Sequence, residues 1–295
     1  MKIKFWGVRG SIPTPGQHTI RYGGNTACVE VRNNNNDILI IDAGTGIRPL
    51  GLALMGEAKG KPLDMMICLS HIHWDHIQGL PFFVPVYIPT STIELVAAQG
   101  TKRDLREVMN IQMDHDFFPL AFDGLPAKVT YRQVMEEDFT YKGFNISTIL
   151  LNHGGLGSVL GFKVTSDGET FVYASDHEGY EIFFSTATTR TKKLVDNMES
   201  KYRKFLSGAS LVIHDAQYDN DEYIKKKGWG HSSFDYAVNT AMGAGIRRVC
   251  FFHYDPLYSD DRIDKIIAEK KQEIIDNGIT DFEVIAPSEG MEIKI

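Results

Sequence analysis

The sequence predicts an α/β fold in which two sheets pack together and helices lie outside them. Two observations lead to this prediction. Short β-rich runs, bounded by glycine, proline, asparagine or aspartate, recur in both halves of the 295-residue chain. Segments in which apolar residues recur with helical spacing interrupt these runs. Because the sequence has no internal repeat and no low-complexity linker, we expect residues 1–295 to form a single domain.

The first half of the chain begins with short strands joined by glycine-rich turns. Residues 65–69 are apolar and bounded by polar residues, which predicts a strand buried on both faces of its sheet. The segment at about 89–126 departs from simple alternation, so we interpret it as an insertion that forms either a lid or a dimer contact, with a helix at 102–113. The other predicted elements of this half are strands at 3–8, 27–32, 37–41 and 84–88 and a helix at 47–55.

The second half alternates strands with helices. Residues 191–206 repeat apolar side chains at helical spacing, which predicts a helix packed on the core. Ser232 or Ser233 is the expected N-cap of a helix at 232–242. The remaining predicted elements are strands at 128–133, 139–151, 158–165, 170–174, 211–213, 247–252 and 282–285 and a last helix at 259–277.

Charge and composition exclude some classes of function. The chain has 31 basic and 38 acidic residues, a formal net charge of -7, which argues against a surface that tracks long nucleic acid. No stretch approaches the roughly 20 apolar residues of a membrane span, and the N-terminus lacks the apolar region of a signal peptide. The three cysteines lie far apart within apolar runs, so we expect reduced thiols in a cytoplasmic protein. A homodimer would be compatible with this composition.

The densest group of metal-binding residue types follows the apolar run at 65–69. His71, His73, Asp75 and His76 fall within six residues of one another on the loop that leaves this strand. Side chains at these positions of a tight turn can point inward together, and imidazole and carboxylate both bind divalent metals. Three imidazoles beside a carboxylate gain little from one another without a cation between them. The segment therefore predicts a site for one or two divalent ions.

Three further metal-binding residues, His153, Asp176 and His253, each follow a predicted strand. Loops at strand ends converge on one edge of a sheet, so residues distant in sequence can meet there. Together with the first group they make five histidines and two aspartates. This set is enough for two metals with three protein ligands each and one bridging carboxylate. Asp42 also ends a strand, where we expect it to brace a loop rather than bind a metal.

With these residues the chain resembles the metallo-β-lactamase-fold hydrolases, and among them the phosphodiesterase branch that contains ribonuclease Z and the bacterial cyclic-nucleotide phosphodiesterases. The matching motifs cover nearly the whole length of the chain. They are residues 7–11, 24–26, 42–46 and 71–76, His153-Gly154-Gly155, Asp176, His214-Asp215-Ala216, Gly230-His231-Ser232 and His253. The resemblance implies a four-layer αββα sandwich of two mixed sheets, with the active site at one edge.

The resemblance also implies how two metal ions share their ligands. It places His71, His73 and His153 on one metal, Asp75, His76 and His253 on the other, and Asp176 between them. Zinc is the expected metal, and manganese or iron would also suit imidazole and carboxylate ligands.

The implied reaction is phosphodiester hydrolysis, in which a hydroxide held between the two metals attacks phosphorus. We expect Asp75, Asp215 and His231 to take part in catalysis. His231 precedes a helix N-terminus, which favours a nearby phosphate, and it is the candidate proton donor to the leaving oxygen. Asp215 would orient this imidazole and keep it protonated. The alternative is that His231 is simply a residue at the start of a helix.

The favoured substrate is a small anionic phosphodiester, a 3′,5′-cyclic nucleotide above all, with no long nucleic acid as partner. Its base would pack on aromatic side chains, for which the candidates are Phe83, Phe117, Phe118 and Trp229. The alternatives are a ribonuclease Z-like endonuclease, a phosphoribosyl cyclic phosphodiesterase and a non-hydrolytic di-iron sensor. Ribonuclease Z has glutamate in place of Asp215 and a long basic arm that we do not find in this sequence, and the di-iron proteins usually have glutamate in place of His73.

Overall fold

Two seven-stranded sheets form the centre of the protein in a computed structural model that describes residues 1–99, 103–154, 159–180 and 189–295. Each sheet is mixed, with antiparallel strands on one side and parallel strands on the other. Helices pack on the outer faces of both sheets. The predicted αββα sandwich is therefore confirmed.

The first sheet is built mainly from the first half of the chain. Its strands are β1 (Lys2–Gly7), β2 (Cys28–Arg32), β3 (Ile38–Ile41), β4 (Asp64–Cys68), β5 (Thr92–Ala98), β6 (Lys128–Val134) and β14 (Glu292–Lys294). They lie in the order β14-β1-β2-β3-β4-β5-β6. The C-terminal strand thus closes the edge of the sheet beside the N-terminal strand.

The second sheet is built from the second half. Its strands are β7 (Asp138–Tyr141), β8 (Phe144–Leu151), β9 (Val159–Ser166), β10 (Glu169–Ala174), β11 (Leu211–Asp215), β12 (Arg248–Phe252) and β13 (Glu283–Ile285). They lie in the order β13-β12-β11-β10-β9-β8-β7. Strands β10 to β13 are parallel, so their carboxyl ends meet at one edge.

The described helices connect and cover these strands. They are α1 (Ile47–Ala58), α2 (Trp74–Ile77), α3 (Leu105–Gln112), α4 (Thr189–Leu206), α5 (Asn220–Lys225), α6 (Phe234–Gly243) and α7 (Asp260–Asp276). Ser233 caps α6, as predicted, by accepting the Tyr236 N–H, and Ser259 caps α7 by accepting the Arg262 N–H. None of these helices is both long enough and apolar enough to cross a membrane.

Two apolar layers hold the sandwich together. The larger lies between the sheets and continues under the helices of the second half, with Phe5, Phe162 and Phe252 fully buried. The smaller lies between the first sheet and α1 and α3, where side chains such as Leu50 and Met109 are buried. Both layers together bury β4 on its two faces, as its apolar sequence predicts.

The predicted strand at 84–88 is wrong. The chain forms a 3-10 helix there, Val84–Tyr87, directly after another 3-10 helix at Leu80–Phe82. Pro81 and Pro85 lack the N–H that a sheet ladder requires, which favours such turns over a strand.

The segment predicted to form a lid, at about 89–126, contains a strand of the first sheet near its start. Strand β5 lies inside that segment, and it pairs with both β4 and β6 in the interior of the first sheet. Helix α3 follows it and buries Leu105 and Met109 against the core. Lys102, the predicted first residue of this helix, lies outside the described residues.

The single strand predicted at 139–151 is a hairpin of β7 and β8. Tyr141 pairs with Phe144, and the two residues between them form the turn. Lys142 and Gly143 have φ values of 41° and 80°, the left-handed conformation that a two-residue hairpin turn requires. The apolar positions change from Phe139 and Tyr141 before the turn to Phe144 and Ile146 after it, and the sequence-based prediction of one strand missed this change of phase.

Candidate metal centre

The structure brings all seven predicted metal ligands together at one edge of the sandwich. They form two groups in which the ligand atoms lie within 4.8 Å of one another. The loop after β4 and the start of α2 supply four of these residues, and the ends of β8, β10 and β12 supply one each. The two groups are His71, His73 and His153 (the imidazole cluster) and Asp75, His76 and His253 (the carboxylate cluster), and Asp176 belongs to both.

In the imidazole cluster, His73 Nδ1 and His153 Nε2 lie 3.2 Å apart. Oδ2 of Asp176 lies 3.6 Å from His71 Nε2 and 3.8 Å from His153 Nε2. His153 donates its other ring proton, on Nδ1, to the Gly230 carbonyl at 2.8 Å. That bond leaves Nε2 as the free lone pair of His153, which is the state that a metal ligand needs.

In the carboxylate cluster, Asp176 presents its other oxygen. Oδ1 lies 3.1 Å from His76 Nε2 and 3.2 Å from His253 Nε2. Oδ2 of Asp75 lies 3.3 Å from His76 Nε2 and 3.0 Å from His253 Nε2. Asp176 therefore directs one oxygen to each cluster, as a bridging carboxylate must.

These distances fit two divalent ions. A tetrahedral site with bonds of about 2.0–2.1 Å to nitrogen and oxygen has ligand atoms about 3.4 Å apart. Within the described ranges, the buried Nε2 of His71 has no hydrogen-bond partner, as expected for an atom whose partner is an ion. Four buried carboxylates at the site form no ion pair with lysine or arginine in the described part of the chain. They are Asp42, Asp75, Asp176 and Asp215.

Asp42 supports the carboxylate cluster from behind, as expected from the sequence. It accepts a hydrogen bond from His76 Nδ1 at 2.8 Å, which leaves His76 Nε2 free to bind a metal. It also accepts from the Ser70 N–H and Oγ and from the Tyr173 hydroxyl. A ligand histidine held in this way has both its tautomer and its ring orientation fixed.

The glycine-rich loop 7–11 contacts the same cluster. The Ser11 N–H donates to Asp75 Oδ2 at 2.7 Å. A Cβ atom at Gly10 would lie 2.3 Å from the His253 ring, so only glycine allows this close approach. His253 Nδ1 also donates a hydrogen bond to Oε1 of Gln217 at 2.8 Å.

Backbone strain also concentrates at the centre. Four residues that contact or form the clusters have left-handed φ values between 53° and 67°. They are Ser11, Asp42, Asp176 and His253. Such conformations cost on the order of 1–3 kcal/mol each and are retained where the surroundings enforce them, commonly at functional sites.

Asp215 and His231 form a hydrogen-bonded pair beside both clusters. His231 Nδ1 donates to Asp215 Oδ2 at 2.8 Å, and the Ser232 N–H donates to the other carboxylate oxygen at 2.8 Å. The His231 ring centre lies 5.0 Å from that of His153 and 4.9 Å from that of His253. The predicted proton donor is therefore in contact with a ligand of each metal.

The electrostatics of the centre separate charged from neutral groups. Burial alone would lower the pKa of His231, but the charge of Asp215 and the hydrogen bond to it raise that pKa to about 9. Burial disfavours the charge of Asp176, yet the surrounding imidazoles hold its pKa well below the usual range. Burial lowers the pKa of His71 and His73. Neutral imidazole is the form that binds metal.

Of the predicted substrate contacts, Phe83 is wrong. Its side chain is fully buried in the smaller apolar layer, packed against Gly51, so it cannot reach a substrate. Phe117 is 80% exposed and Phe118 packs edge-on against Phe82. The structure places neither of these two residues in contact with the metal ligands.

Trp229 lies next to the centre, because the residue that follows it, Gly230, accepts the hydrogen bond from His153. The Trp229 side chain is 63% exposed. Trp74, which we did not select from the sequence, is 80% exposed and directly follows His73. Its place inside the first metal-binding motif could have identified it. Gln217 lies two residues after Asp215, but nothing in its local sequence predicts a contact with His253.

Three further histidines, His18, His115 and His177, belong to neither cluster. His177 is buried behind the centre, where its Nδ1 accepts the Asn152 N–H at 3.3 Å. His18 and His115 are exposed. Gly155 lies outside the described residues.

Comparisons with known proteins agree with this fold and this centre. Ribonuclease Z of Haloarcula marismortui is 22% identical over 328 residues, covering 100% of this chain and 97% of that protein. The structure of the short form of human tRNase Z covers 100% of this chain and 99% of its own, with a TM-score of 0.65 and 19% identity. The structure of unliganded yeast PDE1 covers 100% of this chain and 99% of its own, with a TM-score of 0.69 and 13% identity. These two structures establish similarity of fold alone.

Residues 38–254 match the family described as the beta-lactamase superfamily domain, and this range includes all seven predicted ligands. The predicted resemblance is therefore confirmed. The chain belongs to the beta-lactamase superfamily domain family, as a metal-dependent hydrolase similar in sequence to ribonuclease Z and in fold to yeast PDE1.

Proposed function

We propose that this protein hydrolyses phosphodiesters with two zinc ions, one in each cluster, and a proton supplied by His231. The observation that carries the proposal is the Asp215–His231 pair beside both clusters. A protonated imidazole in this position suits an anionic phosphate whose leaving oxygen needs a proton. A metal centre without such a pair would bind phosphate but would not assist the leaving group.

The residues divide this work between them. When bound, two divalent ions supply a nucleophilic water of lowered pKa and positive charge for the phosphate oxygens. Asp176 fixes the spacing of the two clusters through its two oxygens, and the Ser11 N–H holds Asp75 in place. His231 uses Nδ1 to bind Asp215, so Nε2 is the atom that gives its proton to the leaving oxygen.

For the substrate, the comparisons support the ribonuclease Z alternative better than the cyclic-nucleotide prediction. The relative reported above over the full length of the chain is named ribonuclease Z. Its sequence identity is low, so the name supports a substrate class here without assigning one. Cleavage of an RNA phosphodiester is accordingly the first candidate activity.

A small cyclic nucleotide is the second candidate, and charge is the observation that favours it. The net charge is -7, and the densest basic run, residues 225–227, is partly neutralised. Lys226 Nζ lies 2.9 Å from Asp255 and 3.2 Å from Glu222. RNA affinity depends strongly on lysine and arginine contacts to phosphate, whereas a cyclic nucleotide can be held by two metals and an aromatic surface.

We also propose a cytoplasmic location and zinc as the natural metal. All three cysteines, Cys28, Cys68 and Cys250, are buried and unpaired, which suits a reducing compartment. Five imidazoles and two carboxylates suit zinc, although manganese and iron bind the same ligand types.

The experiment is a substrate panel with zinc-loaded protein. Bis(p-nitrophenyl) phosphate tests phosphodiester hydrolysis, and a precursor tRNA, a phosphoribosyl cyclic phosphate and 3′,5′-cyclic nucleotides then identify the class. Turnover of the first compound that is lost in Asp176→Ala supports the proposal. Failure of the zinc, manganese and iron forms on every phosphodiester would reject it. If the RNA is cut while cyclic nucleotides stay intact, the cyclic-nucleotide candidate is rejected, and the reverse result rejects the nuclease.

A further inference from the structure

Glu178 is a buried carboxylate close to the centre that none of the roles above uses. It is 1% exposed and lies two residues after Asp176. Oε1 accepts the Gly228 N–H at 2.8 Å, and Oε2 accepts the Gly230 N–H at 2.9 Å. No lysine or arginine of the described ranges pairs with Glu178. The hydrogen bonds from these two amides are therefore the main interactions that offset the free-energy cost of burying its charge.

The carboxylate binds the loop of residues 228–230, which contacts His153 and leads directly into His231. The Gly230 carbonyl accepts the hydrogen bond from His153 Nδ1 at 2.8 Å. A Cβ atom at Gly230 would lie 2.2 Å from the same nitrogen, so the imidazole packs directly on this backbone. The next residue is His231. A displacement of the loop would therefore move a metal ligand and the proton donor together.

The backbone of Glu178 connects a third segment. Its N–H donates to the Asn152 carbonyl at 2.7 Å, and Asn152 Nδ2 donates back to the Glu178 carbonyl at 2.8 Å. Asn152 directly precedes His153. Glu178 thus links the segments that carry Asp176, His153 and His231, which lie far apart in sequence.

We propose that Glu178 is a positioning residue, which sets the orientation of His153 and of His231 by binding the two glycine amides. The part of this inference that concerns His231 rests on the proposed phosphodiesterase function. The part that concerns His153 does not, because it predicts metal affinity. Gly228 and Gly230 have φ values of 88° and 92°, so the loop adopts a conformation that glycine permits and that the carboxylate stabilises.

The test is Glu178→Gln, a nearly isosteric change. The amide group keeps one acceptor oxygen but places an NH₂ group against the second glycine N–H, which leaves that amide without an acceptor. Glu136→Gln is the matched control, because Glu136 also accepts a backbone N–H, from Leu150 at 3.1 Å, but is exposed. Metal-free proteins are titrated with zinc in competition with a chromophoric chelator, and thermal unfolding is followed in parallel.

We expect Glu178→Gln to weaken one of the two zinc equivalents by about tenfold or more while the other is kept, as for loss of other groups that orient ligands. At saturating zinc, turnover should fall about tenfold further for a substrate with a ribose alkoxide leaving group than for bis(p-nitrophenyl) phosphate. Glu136→Gln should change neither quantity.

Zinc affinities and a leaving-group ratio equal to those of Glu136→Gln would overturn the inference. Equal weakening of both zinc equivalents together with a large drop in thermal stability would also overturn it, since that result describes a general structural role. If the glutamine variant does not fold, Glu178→Asp, which keeps the charge but shortens its reach, is measured in the same way. Should the wild-type protein hydrolyse no phosphodiester, the proposed function fails, and the zinc titration alone decides the role of Glu178 toward His153.

Discussion

The imidazole and carboxylate clusters share Asp176 but differ in charge and in support. The imidazole cluster consists of three histidine rings without a carboxylate of its own, and His73 is half-exposed. In the carboxylate cluster, Asp75 adds a negative charge and all three members are buried. Each member of the carboxylate cluster also has a hydrogen-bond partner that orients it. His76 binds Asp42, Asp75 binds the Ser11 N–H, and His253 binds Gln217.

The effect of this difference is visible in the proton affinity of the histidines. Burial lowers the pKa of His71, and neighbouring imidazoles lower it further. Burial also acts against the charged form of His76, but Asp176, Asp75 and Asp42 outweigh it and raise that pKa well above the ordinary value. The carboxylate cluster therefore attracts positive charge before any metal binds. It should be the tighter metal site, and the imidazole cluster the more open one.

The largest expected effect comes from the residue that the clusters share. Asp176→Ala removes one oxygen from each cluster, so both metals should be lost or weakened and phosphodiesterase activity should disappear. Elemental analysis after gel filtration, together with turnover of bis(p-nitrophenyl) phosphate, measures both. A variant with two metals per chain and normal turnover would remove Asp176 from the centre.

His231→Ala tests a group that belongs to neither cluster. Both metals should remain, and turnover should fall about 10²–10⁴-fold on substrates with poor leaving groups, the usual contribution of a general acid. The loss should be much smaller for p-nitrophenolate, which leaves without a proton. An equal loss for both kinds of leaving group would show that His231 only positions the phosphate.

Asp42→Asn should affect one cluster selectively. Asp42 holds His76, so the variant should weaken the carboxylate-cluster metal by about 10–100-fold and leave the other affinity nearly unchanged. The control is Asp37→Asn. Asp37 precedes β3 as Asp42 follows it, and this variant should bind both metals normally. Zinc titration measures both variants, and equal weakening of the two sites by Asp42→Asn would contradict the separate support of the clusters.

The wild-type protein should bind its two metals with unequal affinity, by at least about tenfold, because the carboxylate cluster has the greater charge and the fuller set of hydrogen bonds. The matched variants are His73→Ala and His76→Ala. Loss of the weaker equivalent in the first and of the tighter in the second is the expected pattern. The reverse pattern would mean that the charge of a cluster and the hydrogen bonds to its ligands do not determine which metal binds more tightly.

The smallest effect concerns a single proton. In the metal-free protein, NMR titration should find His231 protonated up to about pH 9, because Asp215 outweighs the effect of burial. Asp215→Asn removes the raising charge and leaves the lowering effect of burial, so the pKa should fall to the ordinary value for histidine or below it. An unchanged pKa in this variant would indicate that Asp215 does not control the proton.

The fold class and the seven ligand candidates could be predicted from the residues and their spacing. Apolar strands bounded by turn residues are a local signal, and so is a histidine or aspartate placed just after such a strand. Because strand ends converge at a sheet edge, His153, Asp176 and His253 could be grouped with the 71–76 motif before any contact was known.

Local signals failed where a residue's environment depends on distant segments. Phe83 looked available because it follows the metal-binding loop, but packing of α1 against the first sheet buries it. The sequence after residue 89 looked irregular, yet Thr92–Ala98 forms a strand because its backbone pairs with β4 and β6. The periodicity of apolar residues describes one helix or strand and does not tell which other segments pack or pair with it.

The residues that orient the ligands by hydrogen bonds are known only from the folded structure. Ser11 acts through a backbone N–H, Gln217 through an amide, and Glu178 through a carboxylate that reaches 50 residues along the chain to Gly228. No spacing rule selects such partners, since they are fixed by the register of the two sheets and the course of their loops. The ligand types followed from the chemistry of single residues, whereas their orientation follows from hydrogen bonds between segments that only folding brings within 3 Å.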